Sequence, residues 1–291
     1  MRTMQRRSLL LALAAACAAP AVRAGSCATR IAALDWALAE TLIALGHDPI
    51  AIVGASDWNR FVVEPALPPR VADIGLEQQI NYELLAQLRP DLILTSPFAQ
   101  QREPILRRIA PTERFAVFAP SATPLGWPRA LTRSLGERVG RGAQAEEYLR
   151  QTEERFTDYR QRAQAVRAPA LLLVSFLDAR HARVYGGDGL FQNVLNRLGL
   201  RNAWTGGTNY WGFATIGIER LATDREVRLI AFEPIPGDVR PTLAQSPLWL
   251  DLPFVRAGRV SVLPPVLMFG ALPAARRFAR LLVAELERQA A

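Results

Sequence analysis

With 291 residues, half of them hydrophobic, the chain is long enough for two lobes of ordinary domain size, and its composition excludes a disordered or fibrous protein. The formal charge of +8 would suit a nucleic-acid partner, yet all 35 basic residues are arginine and they are scattered along the chain, not gathered into a stripe. That scatter argues against nucleic acid.

Residues 1–24 have the anatomy of a signal peptide. A basic start with Arg2, Arg6 and Arg7 precedes the apolar run Ser8 to Ala16, and Ala21-Val22-Arg23-Ala24 supplies a cleavage site. The run is too short to span a membrane, and Arg6-Arg7 before Ser-Leu-Leu is twin-arginine-like. Because this leader holds four arginines and no acid, its removal lowers the charge from +8 to +4. Cys17 lies inside it after a poor lipobox, so only Cys27 remains in the mature chain, and one thiol cannot form an internal disulfide. His47 and His181 are far apart, and no metal-ligand spacing is visible.

The mature chain then alternates strands and helices. Arg30 to Leu34 reads as a short strand, Asp35 as the N-cap of a helix from Trp36 to Leu45, and Ile50 to Gly54 as the next strand. A helix from Tyr82 to Leu88 ends before Pro90, and Asp91 to Thr95 is a continuous apolar strand of the buried parallel kind. A helix over 105–109 and a strand over 115–118 continue the rhythm. Residues 141–166 contain no proline and no glycine after Gly142, which predicts one helix roughly 35 Å long at ~1.5 Å per residue. Leu171 to Ser175 opens a second series: a helix at 190–198, a loop rich in Trp, Gly and Tyr, a helix after Ile218, a strand at 229–232, a helix near Leu248 and a last helix at 274–289. The pattern predicts an α/β protein of two lobes, each a parallel sheet covered by helices, with lobes at 25–140 and 168–291 and a rigid connecting helix at 141–167.

The string Asn202-Ala-Trp-Thr-Gly-Gly-Thr-Asn-Tyr-Trp-Gly212, followed by Ile218-Glu-Arg-Leu-Ala222, resembles the periplasmic ferric-hydroxamate-binding proteins of the ferrichrome uptake type. So do Leu34-Asp-Trp36, Asn81-Tyr-Glu-Leu-Leu85, Asp178-Ala-Arg-His181 and Ser246-Pro-Leu-Trp249, in the same order along the chain. The resemblance implies a solute-binding protein of an ABC importer, with a shallow cleft between two lobes and little closure. It implies a ferric siderophore as cargo, an inner-membrane permease as partner, a periplasmic monomer, no intrinsic cofactor and no enzymatic activity. A catecholate chelate, haem or a corrinoid is the alternative cargo. A secreted hydrolase is the rival class, and it lacks a Gly-x-Ser-x-Gly elbow, since Ser96 sits between Thr95 and Pro97.

A siderophore encloses its iron in its own oxygens, so the protein must supply walls and a few polar groups, a task that suits aromatic faces. By the resemblance, Trp211 is a pocket tryptophan with Tyr210 beside it. Phe61 stands at an aromatic wall near Trp58, and Phe269 falls in the last pocket segment. Two positions depart from the family. Glu77, followed by Gln78, stands where the family places an arginine, and Ala99, beside Phe98, stands where it places a tyrosine. Ser96, Gln78 and Tyr210 are the substitute polar candidates, together with Thr95 and Arg60. Glu77 itself would favour a positively charged siderophore. Trp36, Trp127 and Trp249 lie in helical apolar patterns and read as core. Glu83 and Glu219 match the acids that dock the family's binding proteins onto their permease.

Overall fold

A computed structural model describes residues 30–119, 123–223 and 226–290. The leader expected at 1–24, Cys17 and Cys27 lie outside these residues. The first series begins with β1 (Ile31–Ala33), α1 (Trp36–Ala44), β2 (Ala51–Ile52), α2 (Trp58–Phe61) and β3 (Ala72–Asp73). A small antiparallel hairpin, β4 (Gly75–Leu76) and β5 (Gln79–Ile80), precedes α3 (Tyr82–Gln87) and β6 (Leu92–Thr95). A 3-10 turn (Pro97–Arg102), α4 (Glu103–Leu106), β7 (Thr112–Arg114) and α5 (Gly126–Arg138) complete it. The five strands form one parallel sheet in the order β3-β2-β1-β6-β7. All four residues of β6 are buried, as a strand covered on both faces requires.

Next comes α6 (Gly142–Ala165), 24 residues and about 36 Å long at ~1.5 Å per residue. Its buried positions are Ala145, Leu149, Thr152, Phe156, Tyr159 and Ala163, spaced alternately by four and three, so a single stripe faces the protein. The second series runs β8 (Ala170–Phe176), β9 (His181–Tyr185), α7 (Leu190–Leu198), β10 (Phe213–Gly217), a 3-10 turn (Ile218–Leu221) and β11 (Val227–Phe232). It ends with α8 (Val239–Leu243), α9 (Pro247–Leu250), α10 (Pro253–Arg256), β12 (Val260–Leu263) and α11 (Leu272–Ala290). The second sheet has the order β10-β9-β8-β11-β12. Its core of β8, β11 and β12 is parallel, and β9 and β10 add an antiparallel pair at one edge.

Local chemistry accounts for the boundaries. Asp35 Oδ1 accepts the Ala37 N–H at 2.8 Å and Asn81 Oδ1 accepts the Leu84 N–H at 2.9 Å, each satisfying an orphan donor of a helix start. The expected strand at 115–118 is displaced to Thr112–Arg114. The Phe115 N–H still bonds Thr95 O at 2.8 Å, but β6 ends at Thr95 and offers no further edge, so Phe118 leaves the sheet. The helices expected at 105–109 and after Ile218 shorten to one turn at Glu103–Leu106 and a 3-10 turn.

One core cluster runs from Ile31 to Leu286 and draws on both series, because α6 and α11 pack between them. Ion pairs lash α6 to its neighbours: Arg133 to Glu146, Glu153 to both Arg129 and Arg197, and a bidentate Arg162–Glu287 pair at 2.8 and 2.7 Å. Exposed pairs of this kind contribute about 0–1 kcal/mol each, so they serve register more than stability. A buried carboxylate is more telling. Glu40 of α1 is fully buried and its Oε1 accepts the N–H groups of Ala271 and Ala274 at the start of α11, at 2.5 and 3.4 Å. Burial pushes its pKa up to about 8, and its Oε2 has no hydrogen-bond partner among the described residues.

Candidate functional site

A cleft of about 440 Å³ opens at the carboxyl ends of the first sheet's strands, where open parallel sheets place ligands. Its first side is built by Leu34, Asp35 and Trp36 at the β1–α1 turn, Val53 and Gly54 after β2, and the hairpin tip Leu76, Glu77 and Gln78. Phe98, on the 3-10 turn after β6, joins them, and Leu267 and Phe269 close the cavity from the segment after β12.

Beside this cavity the two series meet through aromatic rings. Phe98 stacks on Trp211 with centroids 4.9 Å apart and an interplanar angle of 27°. Phe118 lies 5.2 Å from Trp211 and 4.9 Å from Tyr210, and Phe269 packs on Trp211 edge to face at 5.8 Å. Pairs of this geometry add about 0.5–1.5 kcal/mol each beyond their buried area. The rings are nevertheless not core. Phe98, Tyr210 and Phe269 are 43%, 57% and 37% exposed, and with Trp211 they form a contiguous exposed aromatic patch beside the cavity.

The loop carrying Trp211 is held by specific chemistry. Asn209 Oδ1 accepts the N–H groups of Trp211 and Phe213 at 3.0 and 3.2 Å, closing an Asx turn. Gly212 has φ +78° and packs so tightly on Gly189 that a Cβ would lie 2.3 Å from the Gly189 backbone, so only glycine fits. Asn202 ties the other end of the loop, donating to Tyr185 O at 2.9 Å and to Gln192 Oε1 at 2.7 Å.

The cleft's charge is carried by Asp35 and Glu77. Burial raises the Asp35 pKa above the ordinary carboxylate range, opposed by the Ser96 hydroxyl and the N–H groups of Ala37 and Leu38. Burial also raises Glu77, with a further push from the charge of Asp35 and an opposing pull from Arg102.

Of the residues singled out from sequence, the structure brings Trp211, Tyr210, Phe98 and Phe269 into one cluster, and places Phe98, Phe269, Glu77 and Gln78 in the cavity lining. Trp58 and Phe61 do not line it. Trp58 is fully buried with Nε1 donating to Pro65 O at 2.8 Å, and Phe61 stacks behind Trp36 at 6.0 Å. Their expected place at the wall belongs to Trp36, which read as core; Trp127 and Trp249 are buried. Ser96 and Thr95 are both fully buried beneath the cavity, Thr95 Oγ1 donating to Glu103, and Arg60 is exposed over the Phe61 ring. Asp35, which the sequence marks as a helix cap, Leu76 and Phe118 also stand at the site without having been expected there. For Asp35 a signal existed, since it ends a parallel strand and begins a helix, the usual position of a ligand-facing turn. Glu83 and Glu219 are exposed, one in each lobe, and neither has an ion-pair partner among the described residues.

Residues 31–267 match the family model described as periplasmic binding protein. The iron(3+)-hydroxamate-binding protein FhuD of Escherichia coli (strain K12) is 35% identical over 253 residues, covering 87% of this chain and 85% of that one. Among solved structures, the Fe3+-Desferal-bound siderophore-binding protein FhuD from Vibrio cholerae superposes with a TM-score of 0.83 at 28% identity, over 88% of this chain and 97% of that one. A periplasmic heme-binding protein from Pseudomonas aeruginosa matches with a TM-score of 0.69 at 25% identity, over 91% and 94% of the two chains.

Proposed function

The chain belongs to the periplasmic binding protein family, and on that premise we propose that it captures a ferric siderophore of hydroxamate type in its inter-lobe cleft and delivers it to an inner-membrane ABC importer. The observation that carries this reading is the exposed aromatic cluster of Phe98, Tyr210, Trp211 and Phe269 beside a cavity with few polar groups. A pre-formed chelate needs shape and apolar area more than donors, and rigid rings supply area at small entropic cost. The protein acts as a periplasmic monomer and carries out no chemistry on its cargo. The residues that hold the chelate are Trp36, Phe98, Tyr210, Trp211 and Phe269, with Glu77 and Gln78 at the rim.

Delivery falls to Glu83 and Glu219. They lie outside the cleft, one per lobe, free to meet cationic pockets on two permease subunits. Charges placed this way act on encounter and orientation.

Purified protein is titrated with ferric hydroxamates, a ferric catecholate and haem while tryptophan fluorescence is followed, and each mixture is then passed over a sizing column. Quenching and co-elution of the chelate's colour with the protein are expected for the hydroxamates. Binding of haem or the catecholate alone would overturn the assignment of cargo.

A further inference from the structure

The cleft is charged on one side only. Asp35 and Glu77 both line the cavity, and the segment facing them contributes Leu267 and Phe269. Glu77 is half-buried and makes no hydrogen bond or ion pair among the described residues. Asp35 commits one oxygen to the start of α1. Two cations lie nearby, and neither lines the cavity, although the charge of Arg102 partly offsets that of Glu77. Arg102 lines the outer groove next to Glu77 and donates to Phe98 O at 3.5 Å. Arg183 lies over the Phe213 ring at 4.4 Å with Nη1 on the Met268 sulfur at 3.2 Å, and it is absent from the cavity lining.

Two half-buried carboxylates with no ion-pair partner inside the cavity make a poor seat for a neutral ligand. Filling the cavity with a neutral chelate strips water from both acids and returns nothing for it. A ligand with an ammonium group replaces that water with a charge-assisted hydrogen bond and cancels the repulsion between the two acids. Anionic chelates are disfavoured twice, by desolvation and by like charge, so the same pair works against the wrong cargo as well as for the right one.

We propose that the cleft selects ferric chelates bearing a protonated amine, with Glu77 accepting the ammonium hydrogen bond and Asp35 supplying the second negative charge. This rests on the reading of the cleft as a ferric-chelate site, and the test separates the two. Ferrioxamine B carries one free ammonium group, and its N-acetylated form keeps the same iron centre without the charge. The dissociation constants of both are measured by tryptophan quenching, at low and high salt, for the wild type, Glu77→Gln and Asp35→Asn. Asparagine keeps a cap acceptor for α1, so the second variant tests charge without removing the cap. The wild type is expected to bind the cationic form about tenfold tighter at low salt, a margin that shrinks at high salt. Glu77→Gln should bring the ratio close to one, and Asp35→Asn should lower it by about threefold. Equal affinities for the two forms in the wild type, or an undiminished ratio in Glu77→Gln, overturns the proposal and leaves the chelate site standing. If neither form binds the wild type, the chelate reading itself falls.

Discussion

The two sides of the cleft are made differently. The first lobe offers a carboxylate pair on short, well-anchored turns, Asp35 at a helix cap and Glu77 on a two-stranded hairpin. The second offers Tyr210 and Trp211 on a loop pinned by Asn209 and Gly212, with Phe269 behind. Charge is thus confined to the first lobe, while apolar surface is shared, with Trp36 and Phe98 from the first lobe and Tyr210, Trp211 and Phe269 from the second. On the proposed reading, grip sets how tightly any chelate of the right size is held, and charge sets which one is preferred. The two properties are therefore separable by mutation.

The largest effect belongs to the second side. Trp211→Ala should weaken both charged and uncharged chelates alike by about 2 kcal/mol, roughly thirtyfold, with the fold intact. Phe98→Ala should weaken them less, and the double variant should show coupling, since the two rings stack. A Trp211→Ala protein that loses cationic chelates selectively would collapse the distinction between the sides.

Outside the cleft the lobes are equivalent, and the next test uses that. Glu83→Ala with Glu219→Ala should lower uptake in proteoliposomes about tenfold while the dissociation constant stays unchanged, and each single change should do less. A fall in affinity alongside uptake would put these acids in the site.

Glu40 joins the two sides by holding the start of α11, and its effect is on stability. Its pKa is 4.5 in the unfolded chain and about 8 when folded, so its contribution is full below pH 4.5. It declines as pH rises toward about 8, where the folded state also loses the proton. Glu40→Gln keeps an acceptor for the Ala271 N–H and should flatten the melting temperature against pH over this window, gaining a few degrees near pH 8. Parallel curves for the two proteins would show that Glu40 does not titrate there. The smallest effect is expected in shape. With α6 packed along its length between the lobes, scattering curves with and without chelate should nearly superimpose, and a large fall in radius of gyration would contradict the strut.

The sequence made some of this legible for definite reasons. Helix α7 and the buried strand β6 carry strong periodic or continuous apolar patterns, and α6 lacks any interior breaker. What failed was information that only packing holds. Trp58 and Trp36 exchange roles because α2 has four residues, too few for a period to show which face is buried. The antiparallel pair of β9 and β10 was hidden because α7 lies between them in sequence and imitates a parallel crossover. The stack of Phe98 on Trp211 joins loops more than a hundred residues apart, and no local signal announces such a meeting.

The position of α11 bears on how the chain folds. This last helix packs against α1, α5, α6 and α7, and its side chains, Leu282, Val283 and Leu286 among them, complete the core cluster that begins at Ile31. The interior shared by the two lobes therefore stays open until residues 272–290 are in place, whereas the smaller clusters around Ile93 and Val174 draw nothing from α11. Forming that shared interior is a long-range step that recruits residues from both lobes, while the local clusters assemble from contacts within one series.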